Sequence, residues 1–314
     1  MTSPPWNRRS VVLAGALSLA LAGCGLMDAP GTPRLVAHRV GAGHFPENSR
    51  SALEAALRLN YPAIEVDVVL SKDRIPLLSH EPWVDSGLCT YAPDSEGAEP
   101  RRLPEKPLLL TQDFTLEELQ RDFRCGGLGD PATPDAARIP DRFITLEDLF
   151  AGVRNNPDMV IQLDIKEDPA YTQSPEIYAE EILSRLNAAA LPNRVFISST
   201  RGALIKAFKA RQPIEALFIW PEFHKGQNST LIAIGNELQR KLGFQELIQV
   251  TRDAGADGVA VAYQVADRAA LEAVRQAGLK TGLWTPNTEV QLETYCRWPL
   301  DYLITDYVER ASCR

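Results

Sequence analysis

The sequence predicts an α/β fold, a single (β/α)8 TIM barrel with a cap segment inserted after its third strand-like element. Three observations carry this. Short apolar runs alternate with amphipathic stretches along most of the chain, the mark of a parallel sheet linked by crossover helices. With one run set aside as a hairpin arm, the runs number eight, the count that closes a barrel. No glycine-rich dinucleotide fingerprint follows a strand-like run, which weakens the competing open, doubly wound sheet. A chain of 314 residues has room for one large barrel.

Residues 1–23 stand apart from the fold. Arg8 and Arg9 precede an uncharged apolar stretch over residues 10–23, the layout of a secretory signal, and the stretch is short for a permanent span. It ends Leu21-Ala22-Gly23-Cys24, which resembles the lipobox of bacterial lipoproteins. That resemblance implies acylation of Cys24, a lipid anchor in a membrane, and a mature protein facing the periplasm or the cell exterior; an ordinary cleaved signal is the alternative. Residues 24–34, with Pro30, Gly31 and Pro33, read as a tether to a barrel domain over residues 35–314.

Residues 34–38 form the first expected strand. Residues 41–48 are a loop by composition, and Asn48 or Ser49 is placed to cap a helix whose apolar face is Ala52, Leu53, Ala56, Leu57 and Leu59. Residues 63–70 alternate as a strand, with Glu65 and Asp67 on one face. A turn at Ser71-Lys72-Asp73-Arg74 leads into an apolar arm over residues 75–79, and a hairpin there sets His80 roughly abreast of Glu65. Residues 85–141 are rich in proline and glycine, with periodicity only around residues 115–123; they read as an inserted loop or small cap. Thr145 caps the next helix. Further strands are expected at 159–165, 194–198, 216–220, 258–262, 280–284 and 302–305, and helices at 176–190, 201–210, 245–254 and 268–277.

Composition narrows the function classes. Hydrophobic residues at 45% and charged residues at 24% fit a soluble globular domain and exclude disorder and a multi-span membrane protein. The net charge of −8, or −10 once residues 1–23 and their two arginines are removed, argues against nucleic-acid binding. A small anionic substrate stays open, because local cations or a metal override the global sign. With Cys24 set aside for lipid, Cys89, Cys125, Cys296 and Cys313 make an even set for an oxidising compartment, hence two disulfides. Of three pairings, Cys89 with Cys125 and Cys296 with Cys313 are favoured because each lies within one local segment.

The chemistry-bearing residues cluster at strand ends. Glu65, Asp67 and Asp164 can converge at the C-terminal face of a barrel, and an all-oxygen set suits a hard cation, Mg²⁺ or Ca²⁺. His38 and His80 can act as a general base and a general acid near neutral pH; a lone histidine is more often structural. Arg39 and Lys166 supply fixed positive charge suited to phosphate oxygens, or pair with the carboxylates. Trp284, like Phe45 or Trp83, offers an aromatic face for carbon atoms of a substrate, or packs as core.

Taken together, His38-Arg39, Pro46-Glu47-Asn48, Glu65-Val66-Asp67, Ser71-Lys72-Asp73, His80, Asp164-Ile165-Lys166, Ser198-Ser199, Trp284-Thr285 with Asn287, and Ile304-Thr305-Asp306-Tyr307 resemble the glycerophosphodiester phosphodiesterase family of metal-dependent barrels. The resemblance implies hydrolysis of glycerophosphodiesters to sn-glycerol 3-phosphate and an alcohol. It implies His38 and His80 as the acid/base pair, one divalent cation on Glu65, Asp67 and Asp164, and Arg39 and Lys166 on the phosphate. Three positions depart from the family pattern: Val40 replaces a glycine, Glu81 an aspartate, and Asp164 a glutamate that is one methylene longer. The competing readings are a phosphodiesterase of the lysophospholipase D or sphingomyelinase D type, and a non-catalytic polyol-phosphate-binding lipoprotein. Oligomeric state is not read from the sequence.

Overall fold

The structure, a computed structural model, describes residues 31–92, 99–129, 133–220 and 244–313. The expected signal, Cys24 and most of the tether lie outside the described residues. Thr32–Arg314 form one compact unit.

Eight parallel strands close a ring in the order β1 (Arg34–Ala37), β2 (Ala63–Leu70), β7 (Val160–Ile165), β8 (Val195–Ser199), β9 (Ala216–Trp220), β10 (Gly258–Ala262), β11 (Lys280–Trp284) and β12 (Tyr302–Thr305). Ala37 pairing with Ile64 and Val36 with Ile304 seal the ring on both sides of β1. The strands are near-continuously apolar because both faces are covered. Inside, Val36, Phe196, Leu217, Ala260, Tyr302 and Ile304 fill the lower barrel, with Phe196 stacked on Tyr302 at 4.8 Å between ring centres. Outside, the helices lay apolar stripes on the strands, as Ala52, Leu53 and Ala56 of α1 (Arg50–Arg58) do. Ser49 starts α1 by accepting the Ala52 N–H, and Thr145 starts α3 (Leu146–Val153) with a reciprocal capping box.

The hairpin arm is β3 (Pro76–Leu78), antiparallel to β2 with Val68 opposite Leu78. The Ser79 N–H donates to the Asp67 carbonyl at 3.1 Å, so the register carried one residue further sets His80 opposite Val66. That corrects the expected pairing with Glu65 by one position. The described residues within 85–141 are more ordered than a loop. They contain an antiparallel sheet of β4 (Cys89–Tyr91), β5 (Arg101–Arg102) and β6 (Phe123–Cys125), with the helix α2 (Leu116–Asp122) beside it. A separate core of Val84, Leu119, Phe123 and Phe143 is rooted in Val69 and Leu77 of the hairpin. Cys89 and Cys125 face each other across β4 and β6 and are disulfide-bonded. Cys296 and Cys313 form the second disulfide and hold the tail to the end of α8 (Glu289–Tyr295).

Helix α8 escapes the sequence pattern because it is seven residues long and buries only Leu292, while Val290 is 75% exposed. The remaining helices α4 (Pro175–Ala189), α5 (Gly202–Lys209), α6 (Phe244–Asp253) and α7 (Arg268–Gln276) match expectation within one or two residues. Among the described residues, no helix is long and apolar enough to cross a membrane.

Candidate active site

The C-terminal ends of the strands open into a cavity of about 760 Å³ whose wall includes His38, Arg39, Glu65, His80, Asp164, Lys166, Trp284 and Asp306. The sequence places these residues on six different strands or strand ends, and the barrel brings them together. Of the three aromatic candidates, Trp284 is on the wall. Phe45 packs against the outer core, and the Trp83 ring lies edge-on to Tyr171 at 5.6 Å.

The turn after β1 sets the first part of the site. Arg39, Val40 and Gly41 run consecutively at φ +47°, +68° and +98°, a left-handed path that β-branched residues rarely take. Val40 is nevertheless there, its side chain buried in the core. The path aims the Arg39 N–H at Glu65 Oε2, 2.7 Å away. The Arg39 side chain then bonds Glu47 and lies 3.5 Å from Asp67 Oδ2. Asn48, also left-handed at φ +52°, grips Asp67 twice: its amide donates to Oδ2 at 2.8 Å and its carbonyl accepts the Asp67 N–H at 3.1 Å.

Parallel pairing of β2 and β7 sets Glu65 beside Gln162 and Asp67 beside Asp164. Glu65, Asp67 and Asp164 are all buried and each offers an oxygen within 4.8 Å of the others'. Lys166 bonds Asp164 and stands 2.9 Å from Asp67 Oδ1, in ion-pair range without an aligned hydrogen bond to that oxygen. Burial, then the neighbouring charges of Asp67 and Asp164, push the Glu65 carboxyl up to about 8. Burial also works against Asp67, but Lys166, His80 and Arg39 outweigh it and hold that carboxyl well below its ordinary range. The protein's own cations therefore neutralise this cluster incompletely. A hard divalent cation fits such a donor set of three convergent carboxyl oxygens.

Each histidine is backed by an acid. His38 Nδ1 is 2.7 Å from Asp306 Oδ1, and His80 Nδ1 is 2.9 Å from Glu81 Oε1. Burial opposes protonation of His38, but the Asp306 charge and hydrogen bond overcome it and raise its affinity for a proton. Asp306 is itself fixed by Asn287, which donates from Nδ2 at 2.5 Å and accepts the Asp306 N–H at 3.0 Å. Gly43 lets the two loops meet here: a Cβ on it would fall 2.4 Å from the Tyr307 ring.

Asp306, Asn287 and Glu81 carry no role in the sequence reading, although all three lie in its quoted stretches. Asp306 is 268 residues from His38, and only ring closure joins them. Arg39 and Lys166 lie on the cavity wall, and both pair with the carboxylates.

Fold and site together define a (β/α)8 barrel whose strand ends carry two carboxylate-backed imidazoles and a buried cluster of three carboxylates. The chain belongs to the glycerophosphoryl diester phosphodiesterase family, whose sequence pattern it matches over residues 38–310. An uncharacterised Mycobacterium tuberculosis protein is 30% identical over 215 residues, which is 64% of this chain and 61% of that protein's length. A solved Silicibacter pomeroyi structure superposes with a TM-score of 0.73 at 20% identity, covering 90% of this chain and 92% of the other. A phosphodiesterase from Oleispira antarctica, solved with its product sn-glycerol 3-phosphate, gives 0.64 at 19% identity, over 88% and 94%.

Proposed function

We propose that the protein hydrolyses glycerophosphodiesters to sn-glycerol 3-phosphate and an alcohol, using one divalent cation, Mg²⁺ or Ca²⁺. The carrying observation is that His38 and His80, each with Nδ1 tied to a carboxylate, line one cavity with Glu65 and Asp164, whose oxygens converge with one of the buried Asp67. Family membership supports the reaction class, and the Oleispira relative supports glycerol 3-phosphate as product.

With Nδ1 engaged, each imidazole keeps Nε2 for the substrate. One takes the proton of the attacking oxygen and the other protonates the leaving alkoxide, a division of labour worth roughly 10²–10⁴ in rate per group. Asp306 and Glu81 hold the rings, and Asp306 stabilises the charged form of His38. Glu65, Asp67 and Asp164 would hold the cation, which when bound would supply Lewis-acid polarisation. Arg39 and Lys166 face the same cavity and balance the phosphate charge. Trp284, also on the cavity wall, packs against substrate carbons.

The test is direct. The purified chain releases glycerol 3-phosphate from glycerophosphocholine, loses this with EDTA and regains it with Mg²⁺ or Ca²⁺. Binding of glycerol 3-phosphate by the metal-replete protein with no turnover on any glycerophosphodiester or lysophospholipid gives the site to a binding protein instead.

The reading extends to an acylated Cys24 and a membrane-anchored form facing the periplasm or exterior, supported by the Leu21-Ala22-Gly23-Cys24 order after an apolar run. C24A moves the protein from the membrane to the soluble fraction if this holds; unchanged fractionation overturns it.

A further inference from the structure

We propose that Gln162 is a fourth protein ligand of the divalent cation, its side-chain carbonyl oxygen completing the set made by Glu65, Asp67 and Asp164. The inference rests on the reading that those carboxylates bind such an ion. Gln162 is 1% exposed, lies on the cavity wall, and its Oε1 accepts no hydrogen bond. Buried acceptors without a partner are rare and call for an occupant.

The neighbouring hydrogen bonds fix which end of the amide is free. Ser198 Oγ has one proton and donates it to Asp164 Oδ1 at 2.8 Å. It can therefore only accept from Gln162, whose Nε2 lies 2.9 Å away. Oε1 is left as the unused end. The direction of the side chain is also fixed. Ser198 pairs with Asp164 across β7 and β8, so the Gln162 amide reaches from the Glu65 row up to the row of Asp67 and Asp164. Glu65, equal in length to Gln162 and level with it on the adjacent strand, makes the same reach and meets the two aspartates within 4.8 Å.

A neutral carbonyl suits this place. Three carboxylates already exceed the charge of a divalent ion, and a fourth oxygen without charge raises the coordination number with no further repulsion. Asp164 is also a short ligand, and the hydrogen-bonded run Gln162–Ser198–Asp164 positions its carboxylate while offering the extra oxygen beside it.

The experiment uses Ca²⁺ in calorimetry and Tb³⁺ as a luminescent stand-in, whose decay in H₂O and D₂O counts bound waters. Q162L is expected to weaken Ca²⁺ binding at least about tenfold and to add one water on Tb³⁺. Q162E keeps an oxygen but loses the N–H that holds Ser198; it is expected to retain the wild-type water count. If Q162L binds Ca²⁺ and carries Tb³⁺ waters as wild type does, or if Q162L and Q162E fail alike, the amide serves only to hold Ser198 and the inference is wrong. If the wild-type protein binds neither ion, the metal centre itself is wrong, a result distinct from the other two.

Discussion

Val40 shows how a single residue here is set by conflicting demands. Its φ of +68° costs about 1–2 kcal/mol for a residue with a Cβ, and more for a β-branched one, whereas its buried isopropyl group returns about 2 kcal/mol. Glycine gives up the packing but regains the backbone; alanine gives up most of the packing and keeps the strain. V40G is therefore expected to be less destabilised than V40A in denaturant unfolding, the reverse of the usual order at a buried site, and an equal or larger loss for V40G refutes the strain argument. Asp306 poses a chemical question at the same scale. It raises the proton affinity of His38, so D306N lowers it. The limb of the kcat/KM profile that reports His38 is expected to shift to lower pH, with kcat reduced about 10²-fold or more; an unmoved limb leaves Asp306 with a purely structural part. The histidines and carboxylates were legible in the sequence because reactive residue types at strand ends stand out against apolar runs. Asp306, Asn287 and Gln162 were not, since an acid, an amide and another amide near strands acquire meaning only from partners that ring closure supplies.

Among the elements, the barrel strands were legible and the strands inside the cap were not, for a physical reason. A buried barrel strand such as Ala216–Trp220 announces itself by continuous hydrophobicity, whereas the cap strands are two or three residues long and hold together through the Cys89–Cys125 bond and a small core. The periodicity around residues 115–123 marked the cap helix, and local pairing of the cysteines gave the disulfide correctly. Closing a loop of sequence separation 36 is worth about 3–4 kcal/mol by chain entropy, a large share of what so small a subdomain can gain from burial. Non-reducing peptide mapping is expected to join Cys89 to Cys125 and Cys296 to Cys313. In the C89A/C125A variant, limited proteolysis is expected to cut first within residues 85–141 while the barrel fragments stay associated, because the barrel's core does not depend on the cap's. Cutting that starts in the barrel would show that the two cores are not separable.

Over the whole molecule, one carboxyl at each end of the barrel is shifted in the opposite direction from the other. At the N-terminal end Glu215 is satisfied, taking Arg194 at 2.5 Å, Lys280 at 2.6 Å and the Tyr302 hydroxyl at 2.8 Å. These contacts tie β8, β9, β11 and β12. Burial opposes the Glu215 charge, but Lys280 and Arg194 prevail and lower its pKa below the ordinary 4.5. A depressed carboxyl stabilises the fold above its unfolded value and stops doing so as pH falls through its folded one. The stability gap between wild type and E215Q is thus expected to narrow as the pH falls below 4.5. At the catalytic end the sign reverses. Glu65 ionises at about 8 in the folded chain against 4.5 ordinarily, so between those values deprotonation favours the unfolded chain, and the ion-free protein loses stability as pH rises across that window. A divalent cation must displace the Glu65 proton at low pH and meets an ionised, repelling cluster at high pH. The rise in thermal midpoint on adding Ca²⁺ is accordingly expected to be larger near about pH 9 than near about pH 5, and E65Q is expected to lose both the decline in the ion-free protein and most of the Ca²⁺ gain. A Ca²⁺ shift that is equal at both pH values, or larger in acid, would mean that Glu65 does not bear the ion and that the site's unneutralised charge lies elsewhere.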